Sequence, residues 1–292
     1  MAVQFFCVFL QPVMTYEELW RRLTPLYEVS EAKAIVRLVM ETRCGLSLAD
    51  MLCGKVEQLP AKSKQEIEHL FVQLEQGTPV QYALGEATFC GRQFAVAPGV
   101  LIPRPETEEL CRWIKEQRTD RAHSLLDVGT GSGCIAVTLA LDMPQLMEVT
   151  AWDISTEALA IARENALRLL ADVDFQQCDA LTPPDDHERW DIIVSNPPYV
   201  CVGEATDMAP HVLDHEPHLA LFVPDDDPLR FYRTIGQYAT NALRPGGSLF
   251  FELNPRYAQE VADMLLEMGM RNVELRKDEF GKTRMLSVSK EI

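Results

Sequence analysis

From Ser124 onwards, the chain alternates short apolar runs with longer amphipathic segments. The apolar runs have the length of strands and predict buried strands at 124–128, 149–153, 173–178, 190–195 and 248–253. Between and after these runs, longer segments predict helices at 133–142, 156–171 and 228–242. This alternation is typical of an α/β fold whose mostly parallel, Rossmann-like sheet is covered by helices on both faces. Two further runs, 273–277 and 284–288, predict an antiparallel hairpin at one edge of that sheet.

The region before this sheet has a different pattern. Helical spacing of apolar residues predicts helices at 16–29, 30–42 and 62–76, whereas alternating residues at 81–85 and 88–96 predict a β-hairpin with Gly91 at its turn. Because 292 residues exceed a typical single domain, we expect more than one. The predicted division is an extension at 1–13, a small helical domain at 14–78, a β-hairpin linker at 79–103 and the α/β domain at 104–292. We also hypothesise that Met14 is the native start.

Composition narrows the functional classes. The net charge of −17 opposes binding to nucleic acid, because that binding relies on Lys and Arg to neutralise phosphates. The eight cysteines form no Cys-x-x-Cys pair, which indicates reduced thiols and a cytoplasmic protein. No apolar run is long enough to span a bilayer, so we expect no membrane partner. His211, His215 and His218 lie close together in sequence, but without a helical period that would align their rings we predict no metal site.

A glycine-rich loop follows the strand predicted at 124–128. It reads Asp127-Val128-Gly129-Thr130-Gly131-Ser132-Gly133, and such a loop lets the backbone approach a nucleotide-type cofactor closely. The third glycine comes one residue earlier than in the dinucleotide fingerprint, and Asp127 would repel a pyrophosphate. A carboxylate there suits the sulfonium and ammonium groups of S-adenosylmethionine. We predict that Asp153, at the end of the next strand, accepts hydrogen bonds from the ribose, and that Asp179 accepts one from the adenine amino group.

A second motif, Asn196-Pro197-Pro198-Tyr199, follows the strand predicted at 190–195. The carboxyl ends of parallel strands form the ligand-binding edge of an open α/β sheet, so this loop should face the methyl donor. We predict that the Asn196 side-chain oxygen and the Pro197 carbonyl accept two N–H bonds from a planar amide or amine. Tyr199 would stack on that plane. Catalysis would come mainly from positioning, because the proton can leave after methyl transfer.

These segments together resemble the PrmC/HemK family of protein-glutamine N5-methyltransferases. The resemblance runs from about Met14 to the C-terminus and is carried by residues 79–82, 89–94, 100–108, 127–133, 196–199 and 216–222. It implies a class I methyltransferase fold, S-adenosylmethionine as methyl donor and S-adenosylhomocysteine as product. It also implies that the chain methylates the glutamine of the Gly-Gly-Gln motif in class-1 peptide release factors, with the helical domain docking the substrate. We expect the enzyme to be a monomer.

Further roles rest on the resemblance alone. Arg104 and Glu106 would contact the substrate backbone or a closed loop. The chain departs from the family at Ala180, which stands beside adenine where some relatives have an aromatic residue. It also departs at Asn254, because Glu252-Leu253-Asn254 replaces the family's Glu-Ile-Gly.

Three alternatives stay open on the sequence. An adenine-N6 methyltransferase of DNA or RNA would use the same loop on a flipped base. A ribosomal-protein glutamine methyltransferase is the sister activity, although the run Arg104-Pro105-Glu106-Thr107-Glu108 favours the release-factor branch. A module without catalytic activity that only binds a partner is the third, and the intact Asn196 loop argues against it.

Overall fold

The computed structural model describes residues 14–117 and 123–291, apart from the side chain of Asp207. The extension predicted at 1–13 lies outside the described residues. The chain divides into two compact units between Leu84 and Gly85. This boundary lies within the predicted linker.

The first unit is helical. Its helices are α1 (Tyr16–Leu23), α2 (Val29–Cys44), α3 (Leu48–Leu52), α4 (Ala61–Leu74) and α5 (Val80–Leu84). Their apolar faces meet in a core that includes Leu23, Val36 and Phe71, each fully buried. The Thr15 hydroxyl accepts a hydrogen bond from the Glu18 backbone N–H at 3.1 Å, and the Glu18 carboxylate accepts one from the Thr15 N–H. This capping box fixes the start of α1.

Two predictions in this unit need correction. The helix predicted at 16–29 ends at Leu23, because Pro25 lacks the N–H that would continue it. Residues predicted as a strand at 81–85 form α5 instead. This short helix buries Tyr82 and Leu84, and the Arg43 guanidinium donates to the Leu84 carbonyl. Tertiary packing therefore overrides the alternating pattern of this segment.

The second unit begins with a β-hairpin and continues into the large sheet. Its strands are β1 (Glu86–Phe89), β2 (Arg92–Ala95), β3 (Ser124–Val128), β4 (Glu148–Asp153), β5 (Asp174–Gln177), β6 (Trp190–Ser195), β7 (Val200–Cys201), β8 (Phe222–Val223), β9 (Leu243–Glu252), β10 (Arg271–Lys277) and β11 (Thr283–Ser289). Its helices are α6 (Pro105–Glu116), α7 (Cys134–Asp142), α8 (Thr156–Leu169), α9 (Pro210–His215), α10 (His218–Leu221), α11 (Arg230–Ala242) and α12 (Ala258–Glu267), with 3₁₀ turns at Val202–Asp207 and Pro255–Tyr257.

The seven-stranded sheet has the order β10-β11-β9-β6-β3-β4-β5. The strands β9, β6, β3, β4 and β5 run parallel, and β10 and β11 add the antiparallel edge that the sequence predicts. One apolar cluster packs α6, α7 and α8 against one face, and a second cluster packs α11 and α12 against the other. The chain moves outward from β3 through β4 to β5 and then returns to β6 on the other side of β3. The carboxyl ends of β3 and β6 therefore flank a topological switch point, where such sheets bind ligands.

Candidate active site

A cavity of about 480 Å³ opens at this switch point. Six of the residues predicted to bind the cofactor line it: Gly129, Gly131, Asp153, Asp179, Ala180 and Asn196. Pro197 and Pro198 line it as well. The structure thus brings the glycine loop and the Asn196 loop to one cavity, as their positions after β3 and β6 require.

The glycine loop is tied to the end of β4. The backbone N–H groups of Gly129 and Thr130 donate to the Trp152 carbonyl at 2.9 and 2.8 Å. The Gly131 N–H donates to Asp153 Oδ2 at 2.8 Å. These three hydrogen bonds fix the backbone of the glycine loop to the end of β4.

Four residues predicted to bind the cofactor support the loop from behind: Asp127, Thr130, Ser132 and Gly133 are buried and do not line the cavity. Asp127 Oδ2 accepts hydrogen bonds from the Thr130 hydroxyl at 2.6 Å and from the Ala136 N–H at 3.2 Å. Asp127 Oδ1 is buried without a hydrogen-bond partner. Burial raises the pKa of Asp127 to about 7. When ionised, this carboxylate would favour a cationic ligand in the cavity through its charge, from behind the loop and without contacting the ligand.

The two acids at the far side of the cavity also shape turns. Asp153 Oδ1 accepts the Ser155 N–H at 2.9 Å, and Asp179 Oδ1 accepts the Leu181 N–H at 2.8 Å. Burial raises the pKa of Asp153, although the hydrogen bonds that it accepts from the Ser155 and Gly131 N–H groups oppose the shift. The side chains of Ile154, Ala180 and Leu181 make the lining apolar beside these two acids. Carboxylates beside an apolar wall suit a nucleoside with polar edges and a flat apolar face.

The Asn196 loop lies at the opposite side of the cavity. Asn196 Nδ2 donates to the Thr107 hydroxyl at 3.3 Å. Pro197 is buried, so the loop is fixed by packing as well as by its two prolines. Because Asn196 Nδ2 faces Thr107, the carboxamide oxygen, which is the acceptor of this side chain, points away from Thr107.

The expected stacking role of Tyr199 is a prediction that the cavity does not test, because Tyr199 does not line it. Its hydroxyl donates to Glu252 Oε1 at 3.0 Å, and burial raises its pKa. Arg284 Nη1 donates to the same hydroxyl at 3.4 Å. Tyr199 is thus anchored at its polar end beside the buried Glu252 carboxylate.

Arg104 and Glu106 have different surroundings. Arg104 pairs with the buried Glu216 at 2.5 Å, and Glu216 also accepts the Ile102 N–H at 3.2 Å. This pair ties the segment before α6 to the segment after α9, and Pro217, Leu219 and Ala220 of the latter line the cavity. Glu106 is half-buried and does not line the cavity. The sequence interpretation gave no role to Glu216 or Glu252, because their importance depends on partners far away in the chain.

Comparison with known proteins bears on the class of reaction. Residues 107–216 match the family described as Methyltransferase small domain, and residues 18–85 match PrmC N-terminal domain. A protein from Bacteroides thetaiotaomicron named release factor glutamine methyltransferase is 48% identical over 92% of this chain and 96% of its own length. A protein of the same name from Flavobacterium psychrophilum is 38% identical over 91% of this chain and 95% of its own. This chain belongs to the release factor glutamine methyltransferase family.

The fold agrees with this membership. A methyltransferase from Pyrococcus furiosus superposes with a TM-score of 0.50 at 19% identity, and the match covers 80% of this chain and 100% of that one. This chain therefore has the predicted class I methyltransferase sheet, and a helical unit precedes it in the sequence. It is an S-adenosylmethionine-dependent methyltransferase. None of the helices at 14–117 and 123–291 combines the length and apolar character needed to cross a bilayer.

Proposed function

We propose that this chain transfers the methyl group of S-adenosylmethionine to the side-chain nitrogen N5 of the glutamine in the Gly-Gly-Gln motif of class-1 peptide release factors. The observation that carries the proposal is that Asn196 lines the same cavity as the glycine loop, with its amide nitrogen engaged by Thr107. The names of relatives up to 48% identical support the glutamine substrate.

The residues of the cavity would divide the work. Gly129, Gly131 and Asp153 would hold the cofactor, which supplies an electrophilic methyl group. Asn196 Oδ1 and the Pro197 carbonyl would accept the two N–H bonds of the substrate amide and aim its nitrogen. Transfer would form the new C–N bond and break the C–S bond of the methyl donor, and S-adenosylhomocysteine would be the product. The surplus proton then passes from nitrogen to water, so positioning replaces a strong base.

The setting of the reaction is part of the same proposal. The helical unit would dock the release factor, and the enzyme would act as a monomer in the cytoplasm without binding nucleic acid directly. The net charge of −17 supports a protein substrate over an adenine in DNA or RNA.

The test is mass spectrometry of a purified class-1 release factor after incubation with the enzyme and S-adenosylmethionine. The expected result is one added methyl group on the Gly-Gly-Gln peptide, absent with Asn196→Ala. Asn241→Ala is the matched control, because Asn241 is exposed on α11 and does not line the cavity. An adenine-containing oligonucleotide is incubated in parallel. Methylated adenine with an unmodified peptide would overturn the proposal.

A further inference from the structure

A buried carboxylate lies behind the Asn196 loop. Glu252, the last residue of β9, is 1% exposed. Its Oε2 accepts the Thr107 hydroxyl at 2.6 Å, and its Oε1 accepts the Tyr199 hydroxyl at 3.0 Å. Burial raises the pKa of Glu252, while these two hydrogen bonds and the Arg284 charge oppose the shift. Both oxygens of an otherwise costly buried group are therefore satisfied by donors.

The Thr107 hydroxyl has a single proton, and the acceptor of that proton determines how Thr107 can bond to Asn196. A hydroxyl donates one hydrogen bond and accepts through its lone pairs. Because Thr107 gives its proton to Glu252, it presents only lone pairs to Asn196. The group of Asn196 that faces it at 3.3 Å must then be the N–H donor, Nδ2. A carboxamide has its oxygen on the other branch, so Oδ1 points away from Thr107.

The direction of the Asn196 carboxamide matters for the proposed reaction. If the carboxamide were flipped, a donor would face the N–H groups of a substrate amide, and the nitrogen would be repelled instead of aimed. The loop alone does not set this direction, because the two branches of a carboxamide are nearly equal in size. An acceptor fixed behind Asn196 does set it.

We propose that Thr107 and Glu252 are positioning residues, which hold the Asn196 carboxamide with its oxygen free for the substrate, while Tyr199 holds the second oxygen of Glu252. This rests on the proposed function for its effect on catalysis. The orientation of Asn196 itself does not depend on which substrate is used. The alternative is that the network only ties α6 to β9.

Three substitutions separate these roles. Thr107→Val keeps the branched shape and removes the hydroxyl, and Thr107→Ser keeps the hydroxyl. Thr138→Val is the matched control, because the Thr138 hydroxyl in α7 is fully buried without a partner. Glu252→Gln disturbs the same orientation from the other side of Thr107, because a carboxylate only accepts hydrogen bonds and the Gln side chain also donates them.

Two measurements follow. In steady-state kinetics on the release factor, Thr107→Val should lower kcat by about 100-fold with little change in KM, as expected for misplaced reacting groups. Thr107→Ser should recover most of kcat, and Thr138→Val should match wild type. In ¹⁵N-resolved NMR without substrate, the Asn196 side-chain amide signals should move in Thr107→Val and Glu252→Gln and stay in Thr107→Ser and Thr138→Val.

The outcomes remain distinguishable. If the wild-type enzyme methylates the release factor and both Thr107→Val and Glu252→Gln keep kcat, the positioning role is overturned and the proposed function stands. Equal losses of kcat in Thr107→Val and Thr107→Ser would likewise overturn it, in favour of a packing role. If the wild type does not methylate glutamine, the NMR signals still decide the orientation: unchanged Asn196 signals in Thr107→Val contradict the inference. If Thr107→Val does not fold, Glu252→Gln supplies the same comparison.

Discussion

Two glycines of the cofactor loop should respond differently to the same substitution. Gly131 and Gly133 both have left-handed backbones, with φ of +55° and +80°. A Cβ added at Gly131 would meet nothing within 4 Å, and Gly131 lines the cavity. A Cβ added at Gly133 would lie 3.1 Å from the Ala162 Cβ and 3.3 Å from the Ala162 Cα, where α7 packs on α8. Gly131→Ala should therefore mainly weaken cofactor binding, and Gly133→Ala should mainly weaken the fold.

The magnitudes follow from this geometry. Placing alanine in the left-handed region costs about 1–2 kcal/mol at either position. At Gly133 the contact with Ala162 adds an overpacking cost of about 1 kcal/mol or more, since backbone as well as side chain would have to shift. We expect Gly131→Ala to lower the free energy of unfolding by about 1–2 kcal/mol and Gly133→Ala by about 2–3 kcal/mol or more.

Urea unfolding followed by tryptophan fluorescence measures this difference. Trp113, Trp152 and Trp190 are buried in the second unit, and Trp20 lies in the first, so the signal reports chiefly on the sheet. Calorimetric titration with S-adenosylmethionine measures the affinity of each variant. Two results would contradict the assigned roles of these glycines. One is that Gly131→Ala is the more destabilised variant. The other is that folded Gly133→Ala loses more affinity for S-adenosylmethionine than Gly131→Ala does.

Three more substitutions probe the surroundings of the cavity. Asn254→Gly, which restores the family's glycine, removes the hydrogen bonds of 3.0 Å that the Asn254 side chain donates to the Tyr199 carbonyl and to Glu204. Hydrogen exchange of the backbone amides that follow Tyr199 should accelerate in this variant. An unchanged exchange rate would show that Asn254 does not hold this segment in place. Because the folded pKa of Asp127 lies at about 7, above its ordinary 3.8, the stability of the ligand-free protein should fall as pH rises from about 4 to about 7 and then level off. In denaturation experiments at several pH values, Asp127→Asn should flatten this dependence of the unfolding free energy on pH. An unchanged dependence would mean that another group causes it. Glu216→Gln loses the charge that pairs with Arg104, so amide exchange in α9 and α10 should accelerate relative to wild type.

The central strands β3 and β6 were predictable because they are buried on both faces. The bounds of β3 and β6 coincide with the predicted runs at 124–128 and 190–195. A continuous apolar run flanked by turn residues leaves little choice of where the strand begins and ends. The positions of the two loops at the cavity then follow from the parallel order. In contrast, α6 and α12 are absent from the sequence-based prediction, and α6 begins in a proline-rich run that reads locally as a loop.

The site was predictable only as far as chain positions determine it. The sequence places Asn196 and Gly131 at one edge, but it does not show that Asp127 lies behind the loop and outside the cavity wall. The bond between Thr107 and Glu252 joins residues 145 positions apart, and neither residue signals it locally. Their pairing becomes visible only when α6 packs beside β9.

In the proposed positioning role, the motif Asn196-Pro197-Pro198-Tyr199 depends on this long-range hydrogen bond as well. Asn196 offers both a donor and an acceptor, so its identity alone does not determine which of them meets the substrate. Glu252 determines the choice, because it accepts the hydrogen bond of the Thr107 hydroxyl at 2.6 Å. Thr107 can then only accept a hydrogen bond from Asn196, and the group that donates it is Nδ2. A chain that kept Asn196-Pro197-Pro198-Tyr199 but lost the Thr107 hydroxyl should therefore bind its methyl donor and transfer the methyl group slowly. That combination would separate the motif from the residues that orient it.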